Sequence, residues 1–392
     1  MTAAHWRTTT ILVVALLTMG SLGSLYAWSV LIEPIEHEIG ASRTASSVVF
    51  SAAIVCFTVA MLGAAELQQR ATPATILLAT TALAATGLAL PGMSRSWPAL
   101  LIGIGILFGL ANGLGYSLAI ALVQGAFPAR RGLFTGLAVA SYTAGSAVFA
   151  VLLAWSVATV GLWPSFLGWA GLMLALGGPG AWALHRSVAV LILDPGSHRP
   201  ADSLLHTRLC AALWTAFLCA AFVGVWVLAH AAAIAGWLGA RSGEAALTAA
   251  LVAAANGVGR LGGGWLTDHL EPRWFLTPGL TVAGASLTLL WAAPGLVSGL
   301  VALGAAGLAY GAMVGAYPAI IARLYGVAQA SRVYGRVFTA WGVAGLAGPV
   351  TGGLLFDCCG GYATAILAAA FAAGLAALAS WAVVLPRAEP SR

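Results

Sequence analysis

Long apolar runs of about twenty residues, separated by short polar turns, follow one another along the chain. An α-helix needs about 20 consecutive apolar residues to cross the hydrocarbon core of a bilayer. Each run therefore predicts one membrane span. The predicted spans are 9–32, 44–67, 73–93, 97–123, 132–156, 163–184, 208–235, 244–266, 274–292, 296–322, 335–356 and 361–385. The longest polar interruption runs from Arg186 to Thr207 and contains Asp194, Pro195, His198, Arg199, Pro200, Asp202 and His206. Six spans lie on either side of it. The pattern predicts an all-α integral membrane protein of twelve transmembrane helices in two pseudo-symmetric six-helix halves. The N-terminal half is expected over 1–186, a cytoplasmic linker over 187–207 and the C-terminal half over 208–392.

The polar turns carry an orientation. Positive residues collect in cytoplasmic loops. With both termini in the cytoplasm, the inner loops and tails hold thirteen arginines and the outer loops only Arg43, Arg95 and Arg241. The expected location is the cytoplasmic membrane, both termini inside. The first run follows Arg7, but it is too long for a signal sequence and ends in no small-residue cleavage site. A retained first span is expected.

The halves also repeat. Gly113-Leu114-Gly115-Tyr116 in span four parallels Gly307-Leu308-Ala309-Tyr310 in span ten. Gly132-Leu133-Phe134-Thr135 at the start of span five parallels Gly335-Arg336-Val337-Phe338-Thr339 in span eleven. Parallel repeats of this kind are a transporter signature.

Composition agrees and excludes other classes. Of 392 residues, 61% are hydrophobic and 7% charged, against about 25% charged in soluble domains. Short loops leave no room for a separate soluble domain. The pI near 9.4 reflects loop arginines, so nucleic acid is not an expected partner. The five cysteines have no metal or disulfide spacing. There is no phosphate loop, no nucleophile–base motif and no cluster of metal ligands, so neither an enzyme nor a cofactor is expected.

One charge breaks the pattern. Arg260 lies inside span eight, in Ala255-Asn256-Gly257-Val258-Gly259-Arg260. An arginine at the centre of a membrane helix costs roughly 2.5–3.5 kcal/mol on insertion scales. The spans hold no Asp or Glu away from their ends. Without an internal partner, the planar guanidinium is a candidate bidentate site for a carboxylate anion. Asn256 is one turn away on the same face, with a donor and an acceptor suited to a 2-hydroxy acid. Tyr116 and Tyr310 lie well inside opposing halves and either line the cavity or pack. Tyr26, Trp28, Tyr142 and Trp341 are further lining candidates. Gly348-Pro349 in span eleven predicts a kink, read as a gate or close-packing element. His230 in span seven is either an interfacial histidine or a proton site.

Between spans eight and nine, Gly264-Trp265-Leu266-Thr267-Asp268-His269 and onward to Arg273 resembles the loop motif of the major facilitator superfamily. The counterpart after span two has Gln69 where the motif has an acid. Further stretches narrow the resemblance: Tyr26-Ala27-Trp28-Ser29, Phe127 to Gly132 with Arg130 and Arg131, and Tyr317 to Gly326 continuing to Gly342. Together these resemble the oxalate/formate antiporter and monocarboxylate transporter branch. The resemblance implies that Arg260 pairs with the substrate carboxylate, and that Asp268, Arg273, Arg130 and Arg131 serve gating. Monocarboxylate transporters commonly carry an Asp where this chain has Asn256. The oxalate exchanger carries a lysine in span eleven, and this chain has no lysine.

The combined expectation is a secondary transporter, functional as a monomer in the lipid bilayer. It moves a small lactate- or pyruvate-like monocarboxylate by alternating access, by proton-coupled symport. An anion antiporter of the oxalate/formate type and a non-transporting receptor or scaffold are the alternatives.

Overall fold

A computed structural model describes residues 3–127, 131–187, 207–325 and 327–381. Those residues are helical almost throughout, with no strand among them, and twelve helical spans are long and apolar enough to cross a membrane. Each falls on one of the twelve predicted runs. The 187–207 linker, apart from its end residues, and Arg130 lie outside the described residues, as do the side chains of Arg131 and Asp268.

The first span is not one continuous α-helix. Helix α1 (Ala3–Leu22) passes into a 3-10 segment (Gly23–Val30), followed by the short α2 (Ile32–Ile39). The change begins where small residues bring two backbones together. A Cβ on Gly23 would overlap the carbonyl of Tyr142, and one on Gly145 would overlap that of Gly20. Both contacts are to α7 (Arg131–Val160).

Next come α3 (Arg43–Arg70), α4 (Pro73–Ser94), α5 (Trp97–Leu100) and a π-helical segment (Leu101–Phe108) that leads into α6 (Gly109–Ala126). The predicted uniform span 97–123 thus has a widened turn, where Gly103 lies against Gly87 and Pro91 of α4. Such turns are uncommon in helices. Helix α8 (Leu162–Ser187) closes the first group.

The second group comprises α9 (Thr207–Trp237), α10 (Ser242–His269), α11 (Arg273–Ala292), α12 (Leu296–Tyr325), α13 (Val327–Cys359) and α14 (Ala363–Trp381). Most packing stays within each group, as in α4 on α8 and α11 on α14. Between the groups, α3 packs along α13 and α7 along α10.

The closest pair is α10 with α12, and glycine makes it so. A Cβ on Gly259 or Gly263 of α10 would strike the Leu308 or Ala312 carbonyl. A Cβ on Gly311 or Gly315 of α12 would strike the carbonyls of Asn256 and Arg260. Small residues on both faces permit this backbone approach, the usual device for packing helices in lipid. The helix that carries Arg260 is therefore fixed on its neighbour at the level of the arginine.

Candidate functional site

Arg260 is 7% exposed and Asn256 is fully buried. The Arg260 Nε–H donates to Asn256 Oδ1 at 2.9 Å, and Asn256 Nδ2 donates to the Gly307 carbonyl at 3.3 Å. That chain runs from α12 through Asn256 to the guanidinium, and it uses one of the five N–H donors of arginine. No described ion pair involves Arg260: those present join Arg43 to Glu36, Arg70 to Glu66 and Arg273 to Glu271. Its Nη groups make no hydrogen bond to a carboxylate or carbonyl among the described residues. The Tyr116 hydroxyl also bonds the guanidinium, so the groups that meet it are an amide and a phenol and, among the described residues, no carboxylate.

Four tyrosines surround it electrostatically: Tyr116 most strongly, then Tyr26, Tyr310 and Tyr142. They come from α6, the 3-10 segment, α12 and α7, that is, from both groups of helices. Ring contacts connect them. Tyr142 meets Tyr26 edge-on at 5.2 Å and Tyr116 at 5.6 Å between centroids. Trp341 Nε1 donates to the Tyr310 hydroxyl at 2.6 Å. Tyr142 donates its hydroxyl proton to Asn112 Oδ1 at 2.8 Å, while Asn112 Nδ2 donates to the Phe108 carbonyl at 2.9 Å. Tyrosines from both groups of helices thus gather about a single cation.

Of the expected lining residues, Tyr26, Tyr116, Tyr142, Tyr310 and Trp341 are brought to Arg260 and Asn256. Trp28 is buried two residues from Tyr26, its indole N–H has no partner, and no described ring contact ties it to this group. His230 lies elsewhere. Its Nε2 bonds the Pro349 carbonyl at 3.0 Å and its Nδ1 the Tyr362 hydroxyl at 2.9 Å. A carbonyl only accepts, so Nε2 carries a proton, and in the neutral ring Nδ1 accepts from the Tyr362 hydroxyl. Gly348 packs on the Phe222 carbonyl and Trp226, so Gly348-Pro349 is a close contact of α13 with α9. Arg273 pairs with Glu271 at 2.8 Å and lies over the rings of Trp274 and Trp381.

Sequence reasoning missed Phe57, Tyr334 and Asn112. Phe57 is the central bridge, 5.4 Å from Tyr116 in one group and 5.1 Å from Trp341 in the other. Tyr334 and Phe338 continue the α13 face from Trp341: Phe338 stacks on Trp341 at 5.2 Å and meets Tyr334 at 5.6 Å. Nothing in an apolar run distinguishes Phe57 from other phenylalanines. Asn112 did carry a signal, an amide within an apolar span, four residues before Tyr116.

A second polar cluster joins the groups at the Arg43 end. Asp357, near the end of α13, accepts from the Arg43 backbone N–H at 3.2 Å, the Thr44 N–H at 2.9 Å and Thr44 Oγ1 at 2.5 Å. One group thereby caps a helix of the other. The Arg43 guanidinium is buried and donates to Glu36 at 2.5 and 2.7 Å and to the Tyr362 hydroxyl at 2.7 Å. Glu33 lies over Gly236 of α9. Its partial burial there raises its carboxyl above the usual range, against the pull of Arg43 and with a further push from Glu36. This end is closed. A separate groove of about 470 Å³ lies between α1, α4 and α8, lined by residues such as Val14, Leu77 and Leu176, none of them at the arginine.

The family profile described as Major Facilitator Superfamily matches residues 211–392. The uncharacterized MFS-type transporter YhjX of Escherichia coli (strain K12) is 26% identical over 350 residues, covering 87% of this chain and 86% of that protein. The oxalate:formate antiporter of Oxalobacter formigenes is 25% identical over 349 residues, covering 86% and 82%. Monocarboxylate transporter 11 of Mus musculus is 30% identical over 312 residues, covering 73% and 66%. Crystal structures of a bacterial homolog of the human lysosomal transporter Spinster, inward-facing, align with TM-scores of 0.75 unoccupied and 0.77 occupied. They cover 98% and 96% of this chain at 16% and 17% identity, a likeness that concerns the fold alone.

Proposed function

This chain belongs to the major facilitator superfamily and is an integral membrane transporter, and from that premise we propose that it carries a small monocarboxylate on Arg260. The observation that carries the reading is the guanidinium itself: buried, without a carboxylate mate among the described residues, its Nε held by Asn256 and its other described partner the neutral Tyr116 hydroxyl. A planar fork matches a carboxylate bidentately. A single cation among aromatic rings favours one carboxylate over two. Both polar ends of Asn256 are engaged within the helix pair, so in this reading it orients the arginine.

Transport follows as alternating access. The two helix groups rock about the site, with α3 against α13 and α7 against α10 as the sliding contacts. With both termini cytoplasmic, the Arg43 end faces outwards, and Asp357, Arg43 and Tyr362 hold it shut. Proton symport is the proposed coupling, with the proton carried on the substrate or through His230, which bonds Tyr362 in that outer cluster. A second reading, anion exchange, is favoured by one feature of the site: an emptied pocket leaves Arg260 uncompensated, so return with a counter-anion is the easier path.

Uptake of labelled lactate or pyruvate into proteoliposomes tests this. Arg260→Ala is expected to abolish saturable uptake while the protein stays monodisperse in detergent. Retained saturable uptake overturns the assignment. Stimulation by an inward proton gradient supports symport, whereas stimulation by internal anion without a gradient response supports exchange.

A further inference from the structure

We infer that the site selects 2-oxo monocarboxylates over the 2-hydroxy acids of the same carbon skeleton, with Trp341 setting the selection through Tyr310. The inference rests on the monocarboxylate reading of Arg260. It comes from asking which atoms around the guanidinium remain free to donate and which to accept.

An indole N–H is a donor only. Trp341 Nε1 donates to the Tyr310 oxygen at 2.6 Å, so the Tyr310 proton must turn elsewhere. Tyr310 is 1% exposed, its ring lies against Gly224 of α9, and its hydroxyl interacts with Arg260 and Tyr26. Because the Tyr310 and Tyr26 hydroxyls are hydrogen-bonded to each other, one phenol proton lies between them and the pair keeps one donor beside the arginine. Tyr116 also engages the guanidinium, which has no lone pair to offer, so the Tyr116 proton is left for another acceptor as well.

The strong acceptors nearby are already occupied. Asn256 Oδ1 takes the Arg260 Nε–H, and Asn112 Oδ1 takes the Tyr142 proton. The Asn112 amide cannot turn round without giving up the Nδ2 bond to the Phe108 carbonyl. What remains for a substrate proton is phenol oxygen, a weak acceptor, set beside a cation.

A 2-oxo acid presents acceptors alone: its carboxylate takes the Arg260 fork and its carbonyl a tyrosine proton. A 2-hydroxy acid can accept the same bonds but brings one donor too many. Sites discriminate strongly when a buried polar group is left without its partner.

The test titrates the purified full-length protein with matched pairs: pyruvate against lactate, and glyoxylate against glycolate. Affinities are read by calorimetry and checked by thermal stabilisation. The 2-oxo member is expected to bind about tenfold tighter in each pair. Trp341→Phe frees the Tyr310 hydroxyl to accept, and the ratio is expected to fall to about twofold or less. Tyr310→Phe is expected to weaken the 2-oxo member more than the 2-hydroxy member. Equal or inverted affinities in the unmodified protein overturn the inference and leave the monocarboxylate reading standing. If neither member of either pair binds, that reading falls, and the inference with it. A Trp341→Phe protein that melts normally and keeps the full ratio removes Trp341 from the account.

Discussion

Replacing Asp357 by alanine is expected to open the Arg43 end of the molecule. The carboxylate accepts three hydrogen bonds at the first turn of α3, two from backbone N–H groups and one from Thr44 Oγ1. It is a helix cap supplied across the interface between the two helix groups. Ser42, whose Oγ accepts from the Ala45 N–H, stays as the N-cap of α3; losing the acceptor of the Arg43 and Thr44 N–H groups is set at about 1 kcal/mol, the size of a cap bond, and loss of a negative charge at a helix N-terminus adds about 0.3–1 kcal/mol at a solvated site. Asp357 is exposed, so the sum is taken at about 1–2 kcal/mol and not as three full charged bonds. That shifts a closed-to-open ratio about 5- to 30-fold. The assay is a spin-label distance measurement between His37→Cys and Gly243→Cys, both exposed at that end, in protein whose five native cysteines are replaced. Asp357→Ala is expected to raise the long-distance population, and Asp357→Asn, which keeps one acceptor, to raise it less. A distance distribution that does not change on Asp357→Ala, in protein that still melts cooperatively, refutes the reasoning.

Arg260→Lys keeps the charge but loses the fork and the Nε bond to Asn256, and is expected to lower substrate affinity at least tenfold by calorimetry. Asn256→Asp places a carboxylate 2.9 Å from the arginine it now orients, and is expected to weaken anion binding while steepening the pH dependence of uptake. Gly311→Ala drives a Cβ into the Asn256 backbone, and is expected to cost about 1–3 kcal/mol, read as a lower melting temperature. Glu33 is exposed overall but partly desolvated against α9, which raises its carboxyl, so the proposed closure is favoured below the ordinary carboxylate value and loses that advantage as pH rises through the raised one. Glu33→Gln is expected to flatten that dependence in the same spin-label measurement.

The twelve spans were legible because twenty apolar residues in a row leave a chain few alternatives to crossing a bilayer. Arg260 was legible for the converse reason, a charge where lipid makes charge costly. Its setting was legible only in part. Tyr116, Tyr142 and Tyr310 stood out as polar-tipped rings inside apolar runs, but Phe57 carries no such mark, and its place between Tyr116 and Trp341 is set by how α3 meets α13. The latch was invisible. Arg43 and Asp357 are 314 residues apart, each looks like an ordinary span-end charge, and only the approach of α13 to α3 makes a cap of them. The break at Gly23 was hidden too, since an apolar run looks the same whether its turns are α or 3-10, and the Tyr142 carbonyl that crowds it lies on another helix.

The glycine-packed pair of α10 and α12 has an electrical consequence. Arg260 cannot swing independently, because the backbone that bears it is wedged between Gly311 and Gly315. In the proposed rocking of the second group, a whole positive charge travels with it through part of the membrane field. A substrate carboxylate cancels that charge and a co-transported proton restores it, so in the proposed symport the laden and the empty crossings carry the same charge in opposite directions. A full transmembrane potential acts on one charge by about 2.3 kcal/mol per 100 mV, and Arg260 feels a share of it on both steps. The membrane voltage then speeds one crossing and slows the other, whereas in exchange both crossings are made with the charge cancelled.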